Sequence, residues 1–361
     1  MAAGDFSASQ MPDVLVRATE MWADPRTKYE LKPIVKTAKS VLANQLVGFD
    51  PIMKGNKCIA VSAAWLKSCS DTVTDLTATT IASCTLTGAE LESAKLTYNP
   101  TLNFVKGFTV WDDECKDEFE WRDKMAFGFL KAKASLRKQL NASTLAFLFA
   151  NRTQNLYTGG TGTIVTAGSQ HTEFDAAYWT PDLIAEFDIT REVNQMSESS
   201  YLLSSTNLRS AYFNAQYNAA NADQKDEALK LGHYPIYFDS VNVDAATSAK
   251  STFLVDPSAL GFFHWNQYDN TAPQNMNDPS NTHVWKMPDD EIIYMDGTTA
   301  VPLEYDVEMQ AVCKVDENGV GVRYGRRYGM VANVYLRGGL ILGPGDCAGG
   351  KGIIEFRNVS S

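Results

Sequence analysis

The sequence lacks the features that mark membrane, secreted and nucleic-acid-coating proteins. Its clearest uncharged apolar run, residues 145–150, is far shorter than the roughly 20 residues that a membrane-spanning helix requires. Residues 1–10 have neither the basic start nor the apolar centre of a secretory signal. With 32 Lys and Arg against 43 Asp and Glu, the net charge is −11, so the basic excess of a protein that coats nucleic acid is also missing. These absences predict a soluble chain without an export signal.

Cysteine and histidine are scarce and widely spaced. The six cysteines include no C-x-x-C pair and fit no zinc-site spacing, which predicts reduced thiols in a cytosolic setting. The four histidines form no H-E-x-x-H motif, and no G-x-S-x-G elbow of a serine hydrolase is present. The sequence therefore predicts no catalytic residues, no cofactor and no metal site.

One glycine-rich segment matches part of a phosphate-binding loop. Residues 345–351 read G-x-x-x-x-G-K, but Gly352 follows where the motif needs Ser or Thr to hold magnesium. Such a loop must also open into a helix, whereas the ten remaining residues are strand-like. We interpret the segment as a glycine-rich turn before a final strand.

The first third of the chain divides into an arm and a β-element. Residues 1–48 are interrupted by Pro12, Pro25 and Pro33, which predicts an extended arm with one or two short helices, one of them over residues 36–45. An arm that cannot bury its own apolar residues is expected to lie on a neighbouring subunit. Residues 49–110 contain strand-like stretches on both sides of a Ser/Thr-rich segment, which predicts a projecting β-hairpin with a polar tip.

The clearest helix is predicted to run from about residue 113 to residue 140. Acidic residues after Trp111 suit the positive end of a helix dipole, and Ser143 is predicted to cap a second short helix. Basic residues in the second half are predicted to form a solvated face. Trp111 is expected to pack with the apolar stripe, which repeats every three or four residues at Trp121, Met125, Phe129, Ala132, Leu136 and Leu140.

The remainder mixes helices and strands, which gives an α+β class. A helix is predicted from Pro181 with Thr180 as its N-cap, and a strand over residues 251–255 is followed by a capped turn. The last third is β-rich. Residues 304–315 alternate polar and apolar side chains, as in a half-buried strand, and Asn-Gly at 318–319 predicts a tight hairpin.

The order of these pieces resembles the major capsid proteins of tailed bacteriophages, which have the Hong Kong 97-type fold. Residues 229–267 are similar in texture to that family's A-domain passage, and residues 303–336 to its closing P-domain strands. The resemblance implies an N-arm, an extended β-hairpin E-loop, a long spine helix, a P-domain antiparallel sheet and a mixed α/β A-domain. The implied ranges are 1–48 for the N-arm, 49–110 for the E-loop, 111–180 for the P-domain with its spine helix, 181–300 for the A-domain, and 301–361 for the return to the P-domain sheet and the C-terminus.

This resemblance implies a structural role without catalysis. The chain would self-assemble into hexamers and pentamers of an icosahedral shell around double-stranded DNA, without sequence-specific binding and without contact with a membrane. It implies a portal as a partner and, because residues 1–48 are too short for a cleaved scaffolding segment, a separate scaffolding protein. The shell would be assembled in the host cytoplasm and would become the virion capsid, and the acidic balance suits a wall that contains DNA without adhering to it.

Two questions stay open at the level of sequence. Four arginines form a local basic cluster: Arg323, Arg326, Arg327 and Arg337. The cluster predicts either a contact with phosphate or with acidic residues of another subunit, for which the first three are the candidates, or charges on the outward face of a sheet. The alternatives for function are another structural phage component, of the tail or baseplate, and an α+β hydrolase with a site built from His233, His264 and nearby acids.

Overall fold

The structure, a computed structural model, describes part of the chain. The described residues are 11–23, 35–44, 61–67, 92–98, 101–111, 121–153, 155–157, 163–164, 171–175, 179, 183–206, 208–209, 234–239, 250–266, 283–296, 299–315, 326–343 and 352–359. Several predicted features lie outside them: the polar hairpin tip, the Thr180 cap, the Asn-Gly turn, Arg323 and residues 345–351.

Four helices and thirteen strands are described. The helices are α1 (Met11–Ala23), α2 (Lys36–Ala43), α3 (Trp121–Asn151) and α4 (Leu183–Val193). The strands are β1 (Val61–Lys67), β2 (Glu92–Tyr98), β3 (Leu102–Trp111), β4 (Thr163–Ile164), β5 (Thr172–Asp175), β6 (Tyr201–Ser204), β7 (Ile236–Phe238), β8 (Lys250–Val255), β9 (Leu260–His264), β10 (His283–Asp296), β11 (Thr299–Val315), β12 (Arg326–Leu342) and β13 (Ile353–Val359). A 3₁₀ turn, Pro257–Ala259, stands where the sequence predicts a capped turn.

The first sheet has five strands and is covered on one face by α3. Its order is β10-β11-β12-β3, and β9 pairs with the end of β12. The alternation predicted for β11 is confirmed as far as Met309: Tyr305, Val307 and Met309 are buried in one core with Met125 and Phe129 of the helix, whereas Ala311 is exposed. Edge-to-face ring contacts join Phe129 to strands at both sides of the sheet, with centroids 5.0 Å from Phe108 and 5.6 Å from Trp285.

Helix α3 is one continuous element of 31 residues, roughly 45 Å long. The predicted break at Ser143 is wrong, because the apolar face continues through Leu145 and Leu148 and Thr144 donates its hydroxyl to the carbonyl of Leu140. The N-terminal half packs on the first sheet and the C-terminal half on the second. Trp111 is the last residue of β3, and the described helix begins at Trp121.

The second sheet has six strands in the order β4-β5-β13-β8-β6-β7 and is covered on both faces. One face packs against the end of α3, and the other against α4 through residues such as Phe187 and Phe356. The chain crosses between sheets, since β9 and β10 belong to the first sheet and the final strand, β13, to the second. Consecutive buried residues Ile353 and Ile354 explain the place of β13, because a central strand is apolar on both faces.

The two N-terminal helices pack on their own chain. Val14 and Ala18 of α1, and Ala38 and Leu42 of α2, are buried in the core beneath α3. The helix predicted over residues 36–45 is confirmed, with its end at Ala43. The expectation that apolar residues of this arm lie on a neighbouring subunit is wrong for these four side chains. Pro12 does not interrupt α1, because the first turn of a helix tolerates proline.

Strands β1 and β2 form a separate antiparallel hairpin. Val61 pairs with Tyr98 at one end and Lys67 with Glu92 at the other. Among the described residues, neither strand pairs with any other strand. The predicted β-element is therefore divided, because β3 pairs with β12 in the first sheet.

Close packing of α3 on β3 gives a stability prediction at Gly128. Alanine ordinarily stabilises a helix by about 1 kcal/mol relative to glycine, but a Cβ at this position would overlap the ring of Phe108. We expect Gly128→Ala to lower the free energy of unfolding by about 1–3 kcal/mol, the usual cost of overpacking. Urea denaturation measures the change, with Gln139→Ala on the exposed side of α3 as the control. A Gly128→Ala protein as stable as the parent would contradict the packing described here.

Candidate functional site

A buried ion-pair network joins the middle of α3 to β10. Arg137 and Asp289 are both fully buried; the Arg137 Nε lies 2.8 Å from Asp289 Oδ2, and Nη2 lies 2.5 Å from Oδ1. Asp290 accepts from Nη2 of Arg137 at 3.0 Å and also pairs with Lys133. Glu291 lies 3.5 Å from the remaining guanidinium nitrogen. Two cations of the helix thus meet three consecutive acids of the strand.

The Asp289 carboxylate also fixes the backbone of β10. It accepts the backbone N–H groups of Glu291 and Ile292 at 2.8 and 2.9 Å, and the Tyr305 hydroxyl at 2.6 Å. These bonds lie at the register shift of β10 between Pro288 and Ile293. The carboxylate therefore accepts hydrogen bonds from backbone N–H groups at a point where the pairing of β10 with β11 is interrupted.

Asp289 is held ionised by its partners. Burial alone would raise the pKa of Asp289, but hydrogen bonds from Arg137 and its positive charge outweigh burial and lower that pKa below 3.8. Burial, and then the charge of Asp289, raise the pKa of Tyr305 well above 10. At neutral pH the site therefore holds an ionised carboxylate and a neutral phenol.

The sequence predicts Lys133 and Arg137 on a solvated face, and this is wrong because both are buried. Their partners Asp289, Asp290 and Glu291 lie on a strand with an irregular register. The sequence contains one sign of this burial: Lys133 and Arg137 directly follow Ala132 and Leu136 of the apolar stripe. Their partners are about 150 residues away, so no local pattern identifies them.

A second buried carboxylate, Asp239, connects α2 to the end of β7. It accepts the backbone N–H of Thr37 at 3.0 Å and the Thr37 hydroxyl at 2.6 Å, in the first turn of α2, where negative charge is favoured. Asn141 of α3 donates to the same carboxylate at 3.4 Å and accepts the backbone N–H of Ala38 at 2.7 Å. Helix α2 is thus held by hydrogen bonds to α3 and to the residue that follows β7 of the second sheet.

A third buried carboxylate, Glu355, lies in the middle of β13. Arg152, one residue after α3, donates to it at 2.8 Å, Ser251 of β8 at 2.8 Å and Arg357 at 2.7 Å. Each of the three carboxylates therefore ties α3 or its end to a strand or helix distant in sequence.

The residues predicted to pack along the spine lie at different depths. Met125 and Phe129 are buried in the first core, and Trp121 is partly buried against it. Trp111 lies on β3, where its indole leaves no room for a Cβ at Gly329. Arg326 and Arg327 begin β12, opposite Val315 and Lys314. Their role in subunit contacts stays a prediction.

The histidines of the hydrolase alternative are not seen together. His233 is outside the described residues, and His264 ends β9 with its Nε2 atom buried. Burial lowers the pKa of His264 to about 4, against a hydrogen bond to the Glu304 backbone and with help from the charge of Lys286. Its ring packs against Phe262 and Tyr294, so it is neutral at neutral pH.

Metal-binding and membrane-spanning features are absent from the part of the chain that the structure describes. There, no three His, Cys, Asp or Glu residues are grouped so as to hold a metal ion. None of its helices is both long and apolar enough to cross a membrane.

Gly352, next to the glycine-rich turn, has a structural reason to be glycine. Its φ of 69° is left-handed, and a Cβ would lie 2.8 Å from the Cβ of Asp256. A strand, β13, begins at the next residue, as the sequence predicts, where a phosphate-binding loop would begin a helix.

No protein-family model and no curated protein matches the chain. Among solved structures, it is similar to the mature capsid of bacteriophage PhiM1, with 8% identity, a TM-score of 0.42, and coverage of 83% of this chain and 82% of that one. It is also similar to the capsid of cyanophage P-SCSP1u, with 15% identity, a TM-score of 0.39 and 88% coverage of each chain. A third match is the capsid asymmetric unit of cyanophage Pam1, with 11% identity, a TM-score of 0.38, and coverage of 84% and 86%. Phage capsids thus recur among the solved structures that this chain matches.

Removing Arg137 would leave Asp289 buried without its cation. We expect Arg137→Met to lower the free energy of unfolding by about 3–5 kcal/mol, the usual cost of breaking a buried pair. Asp289→Asn should lower the free energy of unfolding less in the Arg137→Met variant than in the parent protein, because in that variant it removes a charge that has lost its partner. Chemical denaturation of the two single variants and the double variant measures this coupling. Lys138→Met, one residue away on the exposed side of α3, is the control and should change little; additive effects of the two network substitutions would contradict the pairing.

The lowered pKa of Asp289 predicts acid sensitivity. A carboxylate whose pKa is lower in the folded state stabilises the fold fully above its ordinary value of 3.8, and that stabilisation is lost as the pH falls through the folded value. We expect the free energy of unfolding to fall below about pH 4, and to fall less steeply in Asp289→Asn. Denaturation curves between pH 2 and 7 measure both slopes, and identical slopes would count against an ionised Asp289.

Proposed function

We propose that the protein is a major capsid protein of a tailed bacteriophage, structural rather than enzymatic. It self-assembles into hexamers and pentamers of an icosahedral shell that encloses double-stranded DNA. The observation that carries the proposal is the β1–β2 hairpin, which has no strand partner among the described residues. An isolated two-stranded hairpin is marginally stable in water, so this element needs a surface outside itself.

A second unsatisfied element supports self-association. Strand β3 has ten residues and, within the described ranges, pairs only with β12, so its other edge is open. Val105 in its middle is 56% exposed. Long open edges pair readily with other chains. A hairpin on one copy and an open edge on the next form two different surfaces, and head-to-tail contacts of this kind close into rings when the rotation between copies allows it.

The body between these surfaces is suited to carry such contacts. Helix α3 spans both sheets, and buried pairs at Asp289 and Glu355 tie its middle and its end to distant strands. The element order also agrees with the family that the sequence resembles: arm helices, a hairpin, a long helix, a mixed sheet and long antiparallel strands. The proposal includes the domain limits predicted from the sequence, which are 1–48, 49–110, 111–180, 181–300 and 301–361.

The family resemblance supplies the remaining partners. We propose a portal and a separate scaffolding protein that sets the size of the shell, while the chain itself makes the contacts between copies. We also propose assembly in the host cytoplasm and a final location in the virion capsid. Arg323, Arg326 and Arg327 are proposed to contact acidic residues of a neighbouring copy.

Electron microscopy of the purified protein tests the proposed function. We expect closed shells from the full chain, and only small particles after residues 61–98 are replaced by a short Gly-Ser linker, because the hairpin then no longer reaches a neighbour. Thermal unfolding of the linker variant shows whether the body keeps its fold. Tubes or rings from the full chain would favour a tail component, and small particles alone would overturn the capsid proposal.

The arginine cluster has its own test. We expect reversal of charge at Arg323, Arg326 and Arg327 to reduce the yield of closed shells, because attraction to an acidic neighbour becomes repulsion. The charge-conserving Lys triple variant should retain assembly. Sedimentation of shells measures the yield, and normal assembly of the reversed variant would remove these residues from the interface.

A further inference from the structure

Helices α2 and α3 expose lysines and no acids on their outer sides. Their mostly exposed ionisable side chains are Lys36, Lys39, Lys131 and Lys138. We call these four residues the lysine face. Lys131 and Lys138 are two helical turns apart on one side of α3, roughly 10 Å along its axis. Lys36 and Lys39 are three residues apart on one side of α2.

The two helices belong to one layer. Ala38 and Leu42 of α2, and Met125 and Phe129 of α3, are buried in the same core against the same face of the first sheet. The Ala38 backbone N–H donates to Asn141 of α3, which joins the helices side by side. Because the sheet lies beneath both helices, their exposed stripes share the outer side of the layer.

The charge of the lysine face is not compensated locally. Within the described residues, the four ammonium groups make no ion pair and no hydrogen bond, and Lys131 only lies over the ring of Phe127, 5.9 Å from its centroid. Four other cations of the helices are paired: Arg17 with Asp123 and Arg122 with Asp13 near the start of α3, and Lys133 and Arg137 with the acids of β10. The lysine face therefore carries four uncompensated positive charges in a chain of net charge −11.

The opposite side of the first sheet has different chemistry. Strand alternation places Glu304, Asp306 and Glu308 on the face away from the helices. Arg337 pairs with Asp306 at 2.7 Å, and the Tyr335 hydroxyl donates to Glu308 at 2.7 Å. The Arg337 guanidinium and the Tyr335 hydroxyl on that side are therefore engaged by carboxylates, whereas the ammonium groups of the lysine face are not.

We propose that the lysine face contacts the phosphate backbone of DNA, and that this side of the layer faces the interior of the shell. The inference rests on the proposed function, in which DNA is the enclosed polyanion. Lysine ammonium groups are point charges that bind phosphate without reading bases. Small residues between and beyond them on α3, Ser135 and Ala142, allow a backbone to approach closely. The contact is electrostatic, independent of sequence and sensitive to salt.

Salt-dependent binding to a DNA duplex tests the inference. Fluorescence anisotropy with a labelled 30-base-pair duplex, full-length protein below its assembly concentration, and 50–200 mM salt gives the slope of log K against log salt. Each lost phosphate contact should make that slope less negative by about 0.9. We expect a slope change of about 0.9 for Lys138→Gln and of about 1.8 for the double variant Lys131→Gln, Lys138→Gln. Between 50 and 200 mM salt, the double variant should therefore lose roughly 12-fold less affinity than the parent protein does.

The control for net charge is Arg209→Gln, which removes one positive charge elsewhere in the chain. An equal change of slope in Lys138→Gln and Arg209→Gln would show that only net charge matters and would overturn the proposal, as would an unchanged slope in the double lysine variant. Poly-glutamate is tested in parallel, and tighter binding to it than to the duplex would assign the face to an acidic protein segment instead.

The outcome is separable from that of the proposed function. Electron microscopy of the double lysine variant reports assembly independently of binding. Closed shells with unaltered duplex binding overturn this inference alone, whereas absence of shells from the parent protein overturns the capsid proposal.

Discussion

The pairing of Arg137 with Asp289 is the constraint on which the rest of the described structure depends. A fully buried guanidinium in the middle of α3 fixes the rotation of that helix about its axis, because its two donors must meet one carboxylate on β10. The same carboxylate accepts two backbone N–H groups at an irregular point of the strand. A buried pair contributes little net stability compared with apolar packing. It penalises alternative registers, which would leave a charge buried without a partner.

Once α3 is fixed, the two sheets take their positions from it. Its first half covers the first sheet, and its second half covers one face of the second. The buried carboxylates Asp239 and Glu355 repeat the arrangement at α2 and at the end of α3. Helix α3 therefore joins the two sheets into one body. Contacts that other copies make at the edges of either sheet are then connected through this helix. The hairpin has no strand partner outside itself among the described strands, and β3 is one of the edge strands of this body.

Charge adds a direction to this layer. The acidic balance of the whole chain first suggests distance from nucleic acid, but the described charges are unevenly distributed. Lysines of α2 and α3 are free on one side, while carboxylates of β11 lie on the other. In the proposed shell, a weakly cationic side would hold the polyanion through few contacts, which the net charge alone does not reveal.

The sequence by itself determined the elements whose signals are local. The apolar stripe of α3, the alternation of β11 and the helix at Lys36 follow from side chains three, four or two positions apart, and the structure contains them. Only the tertiary structure decided that Lys133 and Arg137 are buried. It also decided that β13 lies in the second sheet, although β10 to β12 before it lie in the first, and that α1 and α2 pack on their own chain. The physical reason is distance along the chain: Arg137 and Asp289 are 152 residues apart. Periodicity reports which face of an element is apolar, but only the folded chain brings together the groups that satisfy a buried charge.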